Sequence, residues 1–73
     1  MAAVAELSCT ERIGTVAGEI WRLLESNGPM SMSRIVAEME RPRDHVMQGI
    51  GWLAREDKLS FEEAQRGITV YVR

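Results

Sequence analysis

The 73-residue sequence predicts a mainly α domain closed by a small β-hairpin. Three observations carry that expectation. Apolar residues recur at spacings of three and four through three segments, the period of a helix buried along one face. From Leu59 onward the period drops to two, the spacing of a half-buried strand. Turn formers, Asn27-Gly28-Pro29 and Pro42, stand between the helical segments.

The first helix is expected to begin near Thr10-Glu11, with Thr10 as its cap and Glu11 favourable in the first turn. Ile13, Val16, Ala17, Ile20, Leu23 and Leu24 share one face, and Arg12, Thr15, Glu19, Arg22 and Ser26 fall on the other. Trp21 sits at the margin of the apolar face and reads as core. Glycine and proline in Asn27-Gly28-Pro29 end the helix. Ser31 then reads as the N-cap of a two-turn helix carrying Met32, Ile35, Val36 and Met39. A third helix starts at Pro42 or Arg43, where proline leaves no helical bond unmade. Its stripe is Val46, Ile50 and Leu53, flanked by Gly49 and Ala54, and Glu56-Asp57-Lys58 closes it.

Beyond that point Leu59 and Phe61 alternate with Ser60 and Glu62. Ile68, Val70 and Val72 alternate with Thr69, Tyr71 and Arg73, around the loop Ala64-Gln65-Arg66-Gly67. Two such runs read as a hairpin. A lone hairpin is marginal in water, so its apolar face is expected to lie on the helices. Helix, short helix, tight turn, longer helix and hairpin is the order of a winged helix-turn-helix, three helices plus a two-stranded wing. Residues 1–9 read as a short N-terminal arm and residues 10–73 as the single domain.

Composition narrows the function. Hydrophobic residues make up 45% and charged residues 27%, ordinary for a globular protein. One cysteine forms no internal disulfide, and a lone thiol fits a reducing, cytoplasmic setting. No Cys/His cluster suggests zinc. A domain this small without such reinforcement often gains stability by oligomerising, which raises the expectation of a homodimer. No run has the length of a membrane span, and Met1-Ala2-Ala3-Val4-Ala5-Glu6 lacks the basic start of a secretory signal. Catalysis is not expected. His45 is the sole histidine and reads as a solvated surface group, Cys9 as an inert thiol, and Glu62-Glu63 as neighbours on opposite faces of a strand. No glycine-rich phosphate loop, cofactor site or small-molecule site is evident.

The stretch Gly49-Ile50-Gly51-Trp52-Leu53-Ala54-Arg55-Glu56-Asp57-Lys58-Leu59 resembles the end of the third helix in a family of very short prokaryotic winged-helix proteins of uncharacterised function. Ile13-Gly14, Trp21 and Asn27-Gly28 match as well, so the likeness spans roughly residues 11–73. It implies the fold and, through winged helices at large, DNA binding. It transfers no ligand and no functional residues.

Two functions stay open. Projected at about 100° per residue, the third helix turns Val46, Gly49, Ile50 and Leu53 inward and Asp44, Gln48, Gly51 and Arg55 outward, with His45, Met47 and Trp52 at the edges. Recognition helices touch bases near their N-termini, where arginine reads guanine and glutamine reads adenine. The candidate DNA-binding residues are therefore Arg41, Arg43, Gln48, Arg55 and Arg66, with double-stranded DNA as partner and transcription regulation as the associated role. Charge argues the other way. The net charge is −2 and the pI about 5.3, whereas a strongly basic domain would announce nucleic acid. Residues 41–58 are only mildly positive, and Glu62 and Glu63 make the wing partly acidic. The alternative is a homodimeric protein-interaction module that has lost DNA binding, with Trp52 and Met47 as candidate interface residues. Cover of Trp52 by the arm or the wing within one chain is the competing reading of that residue.

Overall fold

The computed structural model describes residues 8–73. Helix α1 spans Cys9–Asn27, and a two-residue strand β1 follows at Met30–Ser31. Helix α2 covers Met32–Glu38 and α3 covers Arg43–Arg55, before the hairpin strands β2 (Leu59–Ala64) and β3 (Gly67–Val72). The expected order of three helices and a wing is present.

The start of α1 corrects the expected cap. Ser8, not Thr10, is the N-cap, and its hydroxyl accepts from the Glu11 backbone N–H at 3.1 Å. The Glu11 carboxylate accepts in turn from the Ser8 N–H at 3.0 Å, completing a capping box. The reason is spacing: the reciprocal pair needs a hydroxyl three residues before the acid, and Ser8 stands there while Thr10 is adjacent to it. Cys9, expected ahead of the helix, is its first residue. The rest of the expected arm lies outside the described residues. Gly28 ends α1 at φ 80°, a left-handed conformation open to glycine without a Cβ clash, and its N–H bonds the Leu24 carbonyl at 2.8 Å.

Helix α2 is capped by Ser31, as its sequence predicts, with the hydroxyl accepting from the Arg34 N–H at 3.1 Å. Helix α3 begins after Pro42 and ends in a Schellman turn. The Lys58 N–H bonds the Leu53 carbonyl and the Asp57 N–H bonds that of Ala54. Asp57 takes φ 63° there, a position aspartate tolerates better than most side chains, and its carboxylate pairs with Arg73.

The sheet has three antiparallel strands in the order β1-β3-β2. Strand β1 is an addition to the expected two-stranded wing. Met30 pairs with Val70 and Ser31 with Thr69, so the segment linking α1 to α2 doubles as an edge strand. The expected four-residue hairpin loop tightens to Gln65-Arg66, because Ala64 already pairs with Gly67. Paired residues share a face. Leu59, Phe61, Val70, Val72, Ile68 and Met30 therefore form the apolar side, and Ser60, Glu62, Thr69, Tyr71 and Ser31 form the other.

The apolar side closes on the helices. The core is Val16, Ala17, Ile20, Leu24, Met30, Ile35, Val46, Ile50, Leu53, Leu59 and Val70, and no polar or charged residue among those described is buried with it. Trp21, Met32 and Met39, expected in the core, pack against it only part-buried. Helices α1 and α3 pack closely at Gly49, where a Cβ would stand 2.9 Å from Ile20 Cδ1, 3.1 Å from Val16 Cγ1 and 3.2 Å from the Ala17 backbone nitrogen.

Candidate nucleic-acid interface

Helix α3 has one buried stripe and, opposite it, one exposed ridge. Val46, Gly49, Ile50 and Leu53 are buried against α1, which leaves Asp44, Gln48, Gly51 and Arg55 as an exposed ridge. The two flanks of that ridge border different grooves.

On the first flank, Arg43 and Met47 face α2 and the tip of the wing. Together with Ser31, Ser33, Arg66 and Thr69 they line a groove of about 580 Å³, floored by Met32, Val36 and Ile68. Two guanidiniums, three hydroxyls and no carboxylate line it. Neither Glu62 nor Glu63 contributes to the lining, and their pairing with Thr69 and Ile68 places them on opposite faces of the sheet. The acidic residues of the wing therefore stand apart from its arginine. Among the described residues, Arg43, Arg55 and Arg66 enter none of the ion pairs, which join Arg34 to Glu38, Arg41 to Glu19 and Arg73 to Asp57.

Arg41 is placed differently from the other candidates. Its Nε and Nη2 donate to the two carboxylate oxygens of Glu19 on α1, each at 2.7 Å. This fork-to-carboxylate geometry occupies the guanidinium and ties the α2–α3 turn to α1. The hydrogen bonds from Arg41 hold the Glu19 carboxyl below its ordinary value of 4.5, and the charges of Arg41 and Arg22 act in the same direction against partial burial. Because the folded value is depressed, the pair's contribution to stability is complete above pH 4.5 and is lost as pH falls through the lower folded value. The expected result is a stability gap between the wild type and Glu19→Gln in urea unfolding at neutral pH that shrinks below pH 4.5. A gap that stays constant into acid would remove Arg41 as the cause.

On the second flank, Trp52 faces α1. It is 45% exposed and shares a cleft of about 420 Å³ with Gly14, Gly18, Trp21, Arg22 and Glu25 of α1 and with Glu56 and Lys58 beyond the end of α3. No residue of β2 or β3 lines this cleft. Trp52 and Met47, the two interface candidates, thus lie on opposite flanks of α3 and border different grooves. Sequence spacing places both at the edges of the helix but does not say which neighbour each edge meets.

Among the described residues, no group of three His, Cys, Asp or Glu side chains is arranged to hold a metal ion. No helix among them is long and apolar enough to cross a membrane. Cys9 is exposed, and its sulfur lies 3.4 Å from Arg12 Nη2.

Three helices, an antiparallel wing on their core and an exposed ridge on the third helix define a winged helix-turn-helix protein. The chain belongs to the family described as winged helix-turn-helix domain (DUF2582), which it matches over residues 9–72. It is 43% identical over 51 residues to the uncharacterized protein MJ1608 of Methanocaldococcus jannaschii, covering 66% of this chain and 71% of that protein. The solution NMR structure of protein BT2368 from Bacteroides thetaiotaomicron is also similar, with a TM-score of 0.79 and 25% identity over 89% of this chain and 79% of the other. Neither name states a ligand or a reaction.

Proposed function

We propose that this domain binds double-stranded DNA, as a non-catalytic, transcription-associated protein of the cytoplasm. The observation that carries the reading is the groove between α3 and the wing, where Arg43 and Arg66 stand together without a carboxylate in the lining. Two cations that are far apart in sequence and line one groove suit the phosphate backbone, which supplies most of the non-specific affinity for DNA. Gln48 and Arg55, on the adjoining ridge, are the candidates for base edges, with Asp44 opposing phosphate at the start of the same ridge. Arg41 is assigned to the fold rather than to DNA, since Glu19 occupies its guanidinium.

The test is fluorescence anisotropy with a labelled duplex across a range of salt. Binding is expected at low salt. Arg43→Ala and Arg66→Ala are each expected to weaken it across all sequences and to reduce the slope of log affinity against log salt by about 1. Absence of binding at low salt, or binding indifferent to Arg43→Ala and Arg55→Ala, would overturn the reading. The exposed indole of Trp52 favours a second reading, in which the other flank of α3 contacts protein.

A further inference from the structure

The Trp52 cleft has a composition of its own. Its floor is apolar: the indoles of Trp21 and Trp52, with Ala17 and Leu53. Its α1 bank is nearly without side chains over one stretch. A Cβ at Gly14 would meet nothing within 4 Å, and at Gly18 it would meet only the far end of Arg22 at 3.8 Å. Gly51, on the exposed ridge of α3, is equally open. A second helix can therefore approach the α1 backbone here more closely than a side-chain-bearing surface allows.

The rim adds the information about what approaches. Each bank carries one cation and one anion, Arg22 with Glu25 on α1 and Lys58 with Glu56 beyond α3. All four are exposed. A rim of balanced sign is a poor match for nucleic acid or for a strongly charged peptide. With both signs on each bank, it can pair with a second copy of itself. A twofold axis that set the α1 bank of one copy against the α3 bank of another would offer Arg22 to Glu56 and Glu25 to Lys58, each twice. Self-complementary patches of this kind are what an isologous dimer requires.

We infer that the cleft between α1 and the end of α3 is a self-association surface, occupied by a second copy of this chain about a twofold axis. The inference deepens the protein-contact reading of Trp52 and is independent of the DNA reading. It places the dimer contact on the flank of α3 opposite Arg43 and Arg66, so two arginine-lined grooves stay open in the assembly. Trp52 and Trp21 are the central apolar anchors, and the four charges set orientation.

The sequence holds two tryptophans, Trp21 and Trp52, so intrinsic emission reports on this cleft alone. The full chain is followed by sedimentation equilibrium and tryptophan emission from low micromolar to millimolar concentration. The expected result is a mass rising from 8.2 kDa toward twice that value, with a blue shift of emission over the same range. Trp52→Ala is expected to raise the dissociation constant by about tenfold or more. Arg22→Glu and Glu56→Arg are each expected to raise it about tenfold, and the double exchange Arg22→Glu with Glu56→Arg to recover most of the loss. A monomer with solvent-exposed emission at every concentration would overturn self-association while leaving the cleft open to a different protein. A monomer at every concentration whose Trp52 emission, read in Trp21→Phe, is blue-shifted would place the cover within one chain and overturn both. A dimer indifferent to Trp52→Ala and to the charge exchange would put the contact elsewhere.

Discussion

Shortening Ile35 to alanine is expected to lower the unfolding free energy by about 2–5 kcal/mol. Helix α2 has seven residues, Met32–Glu38, far below the length at which a helix is stable in water alone. It is held by its cap, by β1 and by one fully buried side chain, Ile35, beside the part-buried Met32 and Val36. Alanine there removes three carbons from the core and leaves a cavity that a short helix fills only by tilting inward. A 73-residue domain has on the order of 4–11 kcal/mol of total stability, so the loss is a large share of it. Ile35→Val, which removes one methyl group, is expected to cost about 0.5–1.5 kcal/mol and serves as the graded control. Urea unfolding followed by circular dichroism reads both, with an unchanged slope showing that the transition stays cooperative. Because Ser31, Met32, Ser33 and Val36 line the groove beside Arg43, any DNA affinity is expected to fall with Ile35→Ala at temperatures where the domain remains folded. A loss below about 1 kcal/mol would mean that α2 is anchored by something other than Ile35.

The elements that were legible in the sequence are those whose packing writes a period. The α3 stripe Val46, Gly49, Ile50 and Leu53 is buried as its spacing predicts, because a helix on one core repeats every three to four residues. The hairpin follows from alternation at Leu59–Ala64 and Gly67–Val72, and α2 from a serine ahead of an apolar run. Strand β1 has no such trace. Two residues do not make an alternation, and Met30–Ser31 becomes a strand only because Val70 and Thr69 offer it an edge. The start of α1 was legible and misplaced: Ser8 and Glu11 are spaced as a capping box, while Thr10 is the nearer hydroxyl. The candidate site divides on the same principle. That Arg43, Gln48 and Arg55 are exposed follows from helical projection. That Arg43 and Arg66 line one groove, and that Arg41 is bound to Glu19 across 22 residues, depends on how α1, α3 and the wing are set against each other. Contacts over such separations leave no mark in a single sequence.

Gly49→Ala and Gly51→Ala are expected to change stability in opposite directions, although they are the same substitution two residues apart on one helix. Alanine favours a helix interior over glycine by about 0.8–1 kcal/mol. At Gly51 that gain is unopposed, since a Cβ meets nothing within 4 Å, and the midpoint of thermal unfolding is expected to rise by roughly 4–8 °C. At Gly49 the same methyl group enters the contact between α1 and α3. The Ile20 Cδ1 atom, 2.9 Å from the Cβ position, is the end of a flexible side chain and can rotate away. Val16 Cγ1 at 3.1 Å belongs to a β-branched side chain with one strongly preferred rotamer in a helix, and the Ala17 nitrogen at 3.2 Å is backbone. Relief therefore requires the two helices to separate by a few tenths of an ångström, loosening the core at Val16, Ile20, Val46 and Ile50 together. Overpacking of this kind costs about 1–3 kcal/mol, which exceeds the gain in helix propensity over most of that range. Gly49→Ala is thus expected to be net destabilising, and Gly49→Leu more so. Gly49 holds α3 against α1, and the same spacing sets the width of the Trp52 cleft. A stabilising Gly49→Ala would mean that the α1–α3 contact absorbs a methyl group without loosening the core, and that close packing at Gly49 is not what sets the two helices.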